Sequence, residues 1–230
     1  MILTDIRDLL FPRYCKVCGK KLTVTEQHIC IGCLRMLPLT HYEQDPLNPM
    51  MQCFIGYPSV QRATAWFYYT KGHAYGNLIR DAKYHNAPDT NHYLAKCATT
   101  NLLETSFFQD IDLILPVPLS HRRQRQRGYN QSDFIAKGIC EVTGIPVMKN
   151  NLKRFRDNTH QARLGREARM HNVEGIFRVD NPKALAGHHV LIVDDVITTG
   201  ATLSSCIDTL AAAVPSIRIT LFTLCMAISE

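Results

Sequence analysis

Hydrophobic and polar positions change their period along this chain. Met1–Phe11 (MILTDIRDLLF) places Ile2, Leu3, Ile6, Leu9 and Leu10 at helical spacing, with Asp5, Arg7 and Asp8 between them, which predicts a short amphipathic helix. Arg62–Tyr69 (RATAWFYY) is rich in aromatics and predicts a strand, with helices expected over Tyr75–Lys83 and His92–Leu103. From residue 111 the rhythm is regular. Ile111–Leu115 reads as a strand ended by Pro116 and Pro118, Asp133–Val142 as a helix ended by Gly144, and Val190–Val193 as a buried strand. Leu203–Ala213 reads as a helix before Pro215, and Ile217–Met226 as the last strand. Strands alternating with helices predict an α/β fold: a parallel sheet covered on both faces. Residues 41–60 carry three prolines and no clear period, so they read as an irregular linker. The expected division is residues 1–58 (helix, cysteine-rich segment and linker) and residues 59–230 (the α/β domain).

The composition, 46% hydrophobic and 20% charged residues, is that of a folded chain and not of a disordered one. No apolar run approaches the roughly 20 residues of a membrane span. The charges inside Met1–Phe11 are wrong for a secretion signal, so a cytoplasmic protein is expected. Nine cysteines, an odd count with four clustered near the start, then favour a metal site over disulfides. The net charge of +6 is local. Arg122, Arg123, Arg125 and Arg127 lie in a run with no acid, and residues 152–178 hold seven basic side chains against three acidic ones. Such clustering points to polyanion-binding loops or to a solvated surface.

Cys15-Lys-Val-Cys18 and Cys30-Ile-Gly-Cys33 form a C-x2-C pair of pairs with eleven residues between them. Each C-x2-C turns two thiolates onto one ion. Four thiolates close a tetrahedral shell, so the expected ion is a structural Zn2+ with no open position for substrate. About forty residues bury little apolar surface, and metal would supply the missing stability. His28 lies close enough in sequence to compete as a ligand. Cys53, Cys97, Cys140, Cys206 and Cys225 read as ordinary small apolar residues.

Residues 190–202 read VLIVDDVITTGAT. An apolar strand ends in Asp194 and Asp195, and Thr198-Thr199-Gly200-Ala201-Thr202 then leads into a helix. Ligands of open α/β sheets bind beyond the C-terminal strand ends. A loop feeding a helix N-terminus presents unpaired N–H groups and partial positive charge to a phosphate. The two carboxylates are placed to accept from vicinal sugar hydroxyls and can hold Mg2+ directly or through water. The arrangement implies a 5′-phosphorylated ribose. A solvated acidic turn before a capped helix is the plainer alternative. No G-x-x-x-x-G-K-[ST] is present, which argues against a P-loop nucleotidase.

VLIVDDVITTGAT resembles the phosphoribosyl pyrophosphate (PRPP) signature of type I phosphoribosyltransferases. With CKVCGKKL…HICIGCLRMLP at the front and PVPLSHRRQRQRGYNQS in the middle, the chain resembles the ComF family of competence-associated proteins. The resemblance implies a type I phosphoribosyltransferase-like parallel sheet flanked by helices, with a small N-terminal four-cysteine zinc-binding domain. It implies PRPP as ligand, with Mg2+, bound by Asp194, Asp195 and Thr198–Thr202 on the ribose-phosphate side. Pro118, Leu119, Arg127, Asn130 and Gln131 are expected on the pyrophosphate side. Residues 154–177 resemble the family's hood over the site, from which Arg166 and Arg169 would neutralise leaving pyrophosphate; Arg169 joins Asp194 and Asp195 as a catalytic candidate. Lys83 lies in another matching stretch, with packing its expected role.

The expected activity is transfer or sensing of a 5-phosphoribosyl group. The competing class is a module that handles single-stranded DNA during uptake through its basic surface and zinc ribbon, in contact with DNA-uptake proteins. Trp66-Phe67-Tyr68-Tyr69 would stack bases in that case, although strand spacing favours the core.

Overall fold

A computed structural model describes residues 12–70, 72–79, 88–155 and 175–228. The sequence-predicted helix at 1–11, most of the helix at 75–83 with Lys83, and residues 156–174 of the hood, with Arg166 and Arg169, lie outside the described residues; residues 76–79 are helical.

The main sheet has four parallel strands in the order β1-β6-β5-β2: β1 (Val60–Tyr69), β2 (Leu113–Pro116), β5 (His189–Ile197) and β6 (Arg218–Ala227). Two short strands, β3 (Leu152–Arg154) and β4 (Phe177–Val179), pair antiparallel beside it. The helices in chain order are α1 (Ile31–Arg35), α2 (Pro49–Gln52), α3 (Pro88–Leu102), α4 (His121–Arg127), α5 (Gln131–Thr143) and α6 (Ala201–Ala213). Among the described residues, the strands expected at 62–69, 111–115, 190–193 and 217–226 and the helices expected at 92–103, 133–142 and 203–213 are present within a few residues. Strand β2 starts two residues later than expected because Asp112 turns its carboxylate onto the His189 N–H, at 2.7 Å. Strand β5 runs four residues past Val193, so both acids lie inside its ladder.

The apolar strand runs are continuous because both faces are covered. Leu191, Val193, Phe222 and Leu224 pack with Leu94, Ala98, Ile135 and Ile139 of α3 and α5. Val190, Ile192, Ile219 and Leu221 point the other way, onto Leu203, Cys206, Ile207 and Leu210 of α6. Helices α3 and α5 cross closely at Gly138, where a Cβ would lie 2.6 Å from the His92 carbonyl oxygen.

The cysteine segment docks along β1. Thr40 N–H donates to the Trp66 carbonyl (3.1 Å) and Tyr68 N–H to the Pro38 carbonyl (2.8 Å), so residues 38–40 continue the sheet edge. Cys15, Leu22, Ile29 and Leu37 join the α3/α5 core, with Trp66 and Phe67 buried among them. Residues 41–58 are irregular apart from a 3-10 turn at Tyr42–Gln44 and the four residues of α2. They nonetheless bury Tyr42, Met50 and Phe54 in the α6-side core.

Candidate functional site

Register places the site. Pro116 of β2 is paired with Val193 of β5, and the Val117 N–H donates to the Val193 carbonyl at 3.0 Å. The loop after β2 therefore leaves the sheet beside Asp194 and Asp195. Asp195 is buried and Asp194 half-buried. Asp194 Oδ1 accepts from the Ser132 hydroxyl (3.1 Å) and from the Asp195 N–H (2.9 Å), which fixes its orientation. The Cys206 thiol below is pushed well up, first by burial and then by the Asp194 charge.

The Thr/Gly loop has the expected form. Gly200 sits at φ +76° and is the residue before the first turn of α6, with no side chain capping the helix. Thr198, Thr199, Ala201 and Thr202 are exposed, and no side chain among the described residues plugs the turn. The uncapped N–H groups of a 13-residue helix face that opening. Behind the turn, a Cβ on Gly200 would meet the Phe54 ring at 3.3 Å and Cys53 Cβ at 3.6 Å, so residues from the presumed linker form the back wall of the loop.

On the other side Asn130 caps α5 and ties the neighbouring loop down. Its Oδ1 accepts from the Ser132 N–H (3.3 Å), while its Nδ2 donates to the Val117 carbonyl (3.0 Å) and to Asp133 Oδ1 (3.1 Å). Asn130 thus shapes the 117–120 loop. Gln131 is 2% exposed; its Oε1 accepts from Arg127 Nη1 at 3.1 Å, and its Nε2 has no acceptor among the described residues. Pro118 and Leu119 are half-buried, all peptide bonds of the described residues are trans, and Ser120 caps α4 through the Arg123 N–H. Arg122, Arg123 and Arg125 are exposed on α4.

Asp194, Asp195, the 198–202 loop, Asn130 and Gln131 are thereby brought to one end of the sheet, with Arg127 beside Gln131. Arg169 lies outside the described residues. Sequence reasoning missed two positions. Ser132 stands in the quoted RGYNQS patch, but its partner is 62 residues away. Phe54 carried no signal at all.

The four cysteines form a separate centre. Their Sγ atoms lie within 4.8 Å of one another, and Cys18 and Cys30 Sγ are 3.8 Å apart. A tetrahedral Zn2+ with Zn–S near 2.3 Å requires S···S near 3.8 Å, so the donor set fits zinc. The Cys30 N–H donates to Cys15 Sγ (3.3 Å) and the Cys33 N–H to Cys30 Sγ (3.5 Å), the bonds that settle thiolate charge. Burial raises the Cys15 thiol, but hydrogen bonds from the Cys18, Cys30 and Val17 backbone outweigh it and bring it down to about 7. His28 is no member of this group: its Nδ1 lies 3.2 Å from Thr90 Oγ1, and its ring packs on Tyr93.

No helix among the described residues is long and apolar enough to cross a membrane. Comparison with known proteins agrees with the fold. The family described as phosphoribosyl transferase domain matches residues 142–229. Competence protein F of Haemophilus influenzae is 31% identical over 202 residues, covering 84% of this chain and 76% of that protein. The DNA utilization protein YhgH of Salmonella typhimurium is 28% identical over 211 residues, covering 85% and 89%. Competence protein ComFC of Bacillus subtilis is 32% identical over 91 residues, covering 40% and 35%. With its parallel sheet of phosphoribosyltransferase type, the four-cysteine cluster at its front and relatives of this kind along most of its length, the chain belongs to the ComF family of competence-associated phosphoribosyltransferase-like proteins.

Proposed function

We propose that the protein binds PRPP with Mg2+ across the ends of β5 and β2 and acts on, or reports, the 5-phosphoribosyl group. The observation that carries this reading is the pairing of Asp194 and Asp195 with the open, uncapped N-terminus of α6 five residues on. The 5′-phosphate takes the N–H groups of the 199–202 turn and the Thr198, Thr199 and Thr202 hydroxyls. Asp194 and Asp195 accept from the ribose hydroxyls, and Ser132 holds Asp194 in place for this. The pyrophosphate lies toward residues 118–119 and the N-terminus of α5. There the unused Gln131 Nε2 is a ready donor, and Arg127 holds Gln131 in position.

Bound Mg2+ would neutralise pyrophosphate charge, held by the substrate's own oxygens and by the carboxylates through water. Transfer breaks the bond between ribose C1 and the pyrophosphate oxygen. The electron pair leaves with pyrophosphate and the acceptor's lone pair forms the new C1 bond. This chain's part is positioning and electrostatics, with Arg169 assigned to the departing charge. The four cysteines hold structural Zn2+, which fixes the segment docked on β1. Equilibrium titration with PRPP in the presence of Mg2+ tests the reading; a protein that binds neither PRPP nor ribose 5-phosphate contradicts it.

A second reading rests on α4, where Arg122, Arg123 and Arg125 are exposed on a helix without an acid. Such a ridge suits the phosphates of single-stranded DNA, as a partner surface compatible with PRPP binding. Replacing the three arginines by alanine is expected to lower the slope of log affinity against log salt by about 2; an unchanged slope contradicts it.

A further inference from the structure

The cysteine segment and α3 enclose a cavity of about 830 Å3 that the PRPP reading leaves unused. None of its lining residues comes from the 117–120 loop, the α5 N-terminus or the 194–202 turn. Its size is that of sites for small organic ligands, roughly 300–1,000 Å3. Its walls are aromatic: Trp66 from β1, Tyr93 from α3, and His28 packed on Tyr93 with ring centroids 5.6 Å apart. Around these rings stand amide and hydroxyl groups, Gln27, Thr100 and Asn101, which offer donors and acceptors to the edge of a heterocycle.

The rim is cationic. Arg35 ends α1 and is exposed, and Lys96 is half-exposed on α3. Lys96 shares Glu141 with Lys137, so one carboxylate serves two ammonium groups and positive charge remains at the rim, partly offset by Asp89. The Trp66 indole N–H is buried without a partner among the described residues and lies at the cavity wall. Flat aromatic walls, a hydrogen-bonding edge and a basic rim match a purine or pyrimidine ring carrying a phosphate.

We propose that this cavity is a second ligand site, taking the base of a nucleoside monophosphate against Trp66 and the packed Tyr93–His28 pair, with its phosphate toward Arg35 and Lys96. The site is independent of the PRPP reading. Trp66 is the chain's single tryptophan, so its fluorescence reports on the cavity wall directly. The full chain, with zinc bound, is titrated separately with AMP, GMP, CMP and UMP, with inorganic phosphate and with oligothymidylate while Trp66 emission is followed.

A saturable change with at least one mononucleotide is expected, with half-saturation below about 1 mM. Tyr93→Leu is expected to weaken it about tenfold through lost stacking. Thr100→Phe, at an exposed helix position, is expected to abolish it by filling the cavity, and serves as the deciding variant if Tyr93→Leu does not fold. Asp194→Asn/Asp195→Asn is expected to leave it intact. The proposal is overturned by no response to any mononucleotide, by an equal response to phosphate alone, or by a response to oligothymidylate only. It is equally overturned if Thr100→Phe leaves the response unchanged, or if the double aspartate variant loses it, since the ligand would then sit at the strand ends.

Discussion

The Ser132 hydroxyl donates to Asp194 Oδ1 at 3.1 Å, joining the first turn of α5 to the end of β5. Ser132 is 2% exposed, so water cannot replace this bond cheaply. The same carboxylate oxygen takes the Asp195 N–H, so its other oxygen is the one aimed away from this pair of donors. Ser132→Ala is expected to weaken PRPP binding about tenfold, the lower end of the roughly 1.5–3 kcal/mol of a hydrogen bond to a charged group. Calorimetric titration beside a thermal melt checks it: affinity falls while the melting temperature moves by only a few degrees.

The back wall of the Gly200 turn gives a second expectation. Gly200 has φ +76°, and a Cβ there would press on the Phe54 ring at 3.3 Å. Gly200→Ala combines left-handed strain with that contact, and about 1–2 kcal/mol of stability is expected to be lost, along with PRPP affinity. Phe54→Leu leaves the backbone alone and relaxes the wall. It is expected to restore part of the affinity in the Gly200→Ala background, which a double-mutant cycle in binding would reveal.

Zinc removal has its own signature. Metal analysis of the purified chain is expected to find about one zinc per chain, in keeping with a single four-thiolate centre. Cys15→Ser/Cys18→Ser is expected to lose the metal and lower the melting temperature. Because Cys15, Leu22, Ile29 and Leu37 belong to the core shared with α3 and α5, that loss should reach the sheet and not remain local. Hydrogen exchange in β1 is expected to rise.

His189 sets an acid limit. Its pKa is held below the ordinary 6.5, chiefly by burial and then by the Arg62 and Arg218 charges, while Nε2 shares a hydrogen bond with Thr220 Oγ1 at 2.9 Å. The unfolded chain therefore takes up this proton first as pH falls. Stability is full above about 6.5 and declines below it, by at most about 1.4 kcal/mol per pH unit for one group. His28 shifts in the same direction. Denaturant unfolding between pH 7.5 and 5 is expected to show this decline, and His189→Gln to make it shallower without removing it.

Much of this arrangement was legible in the sequence because its signals are local. Cys-x2-Cys spacing is a statement about one turn of chain, and the four thiols do converge. The run VLIVDD announced a buried strand that carries the two acids, and Gly200 an opening turn, since each needs only its neighbours; that the ladder continues past the acids to Ile197 was not legible. RGYNQS was legible as the opening of a helix, but not its division of labour: Asn130 clamps the Val117 loop, Gln131 Nε2 has no acceptor among the described residues, and Ser132 reaches Asp194. What stayed hidden depends on distant pairing. Met50 and Phe54 lie in a proline-broken stretch without a period, and their burial under β1 and the Gly200 turn follows from tertiary contact alone. The cavity is hidden for the same reason, since its walls come from residues 27–39, 66 and 89–101.

The proposed grip on a phosphorylated ribose depends on the twin carboxylates and the Gly200 turn. Its most direct test is calorimetric titration of PRPP with Mg2+ into the wild-type chain and into Asp194→Asn/Asp195→Asn, both checked for native melting. Saturable binding by the wild type and a loss of at least about a hundredfold, roughly 2.7 kcal/mol, in the variant is the predicted result. Equal binding by the two proteins, or none by a folded wild type, would contradict it.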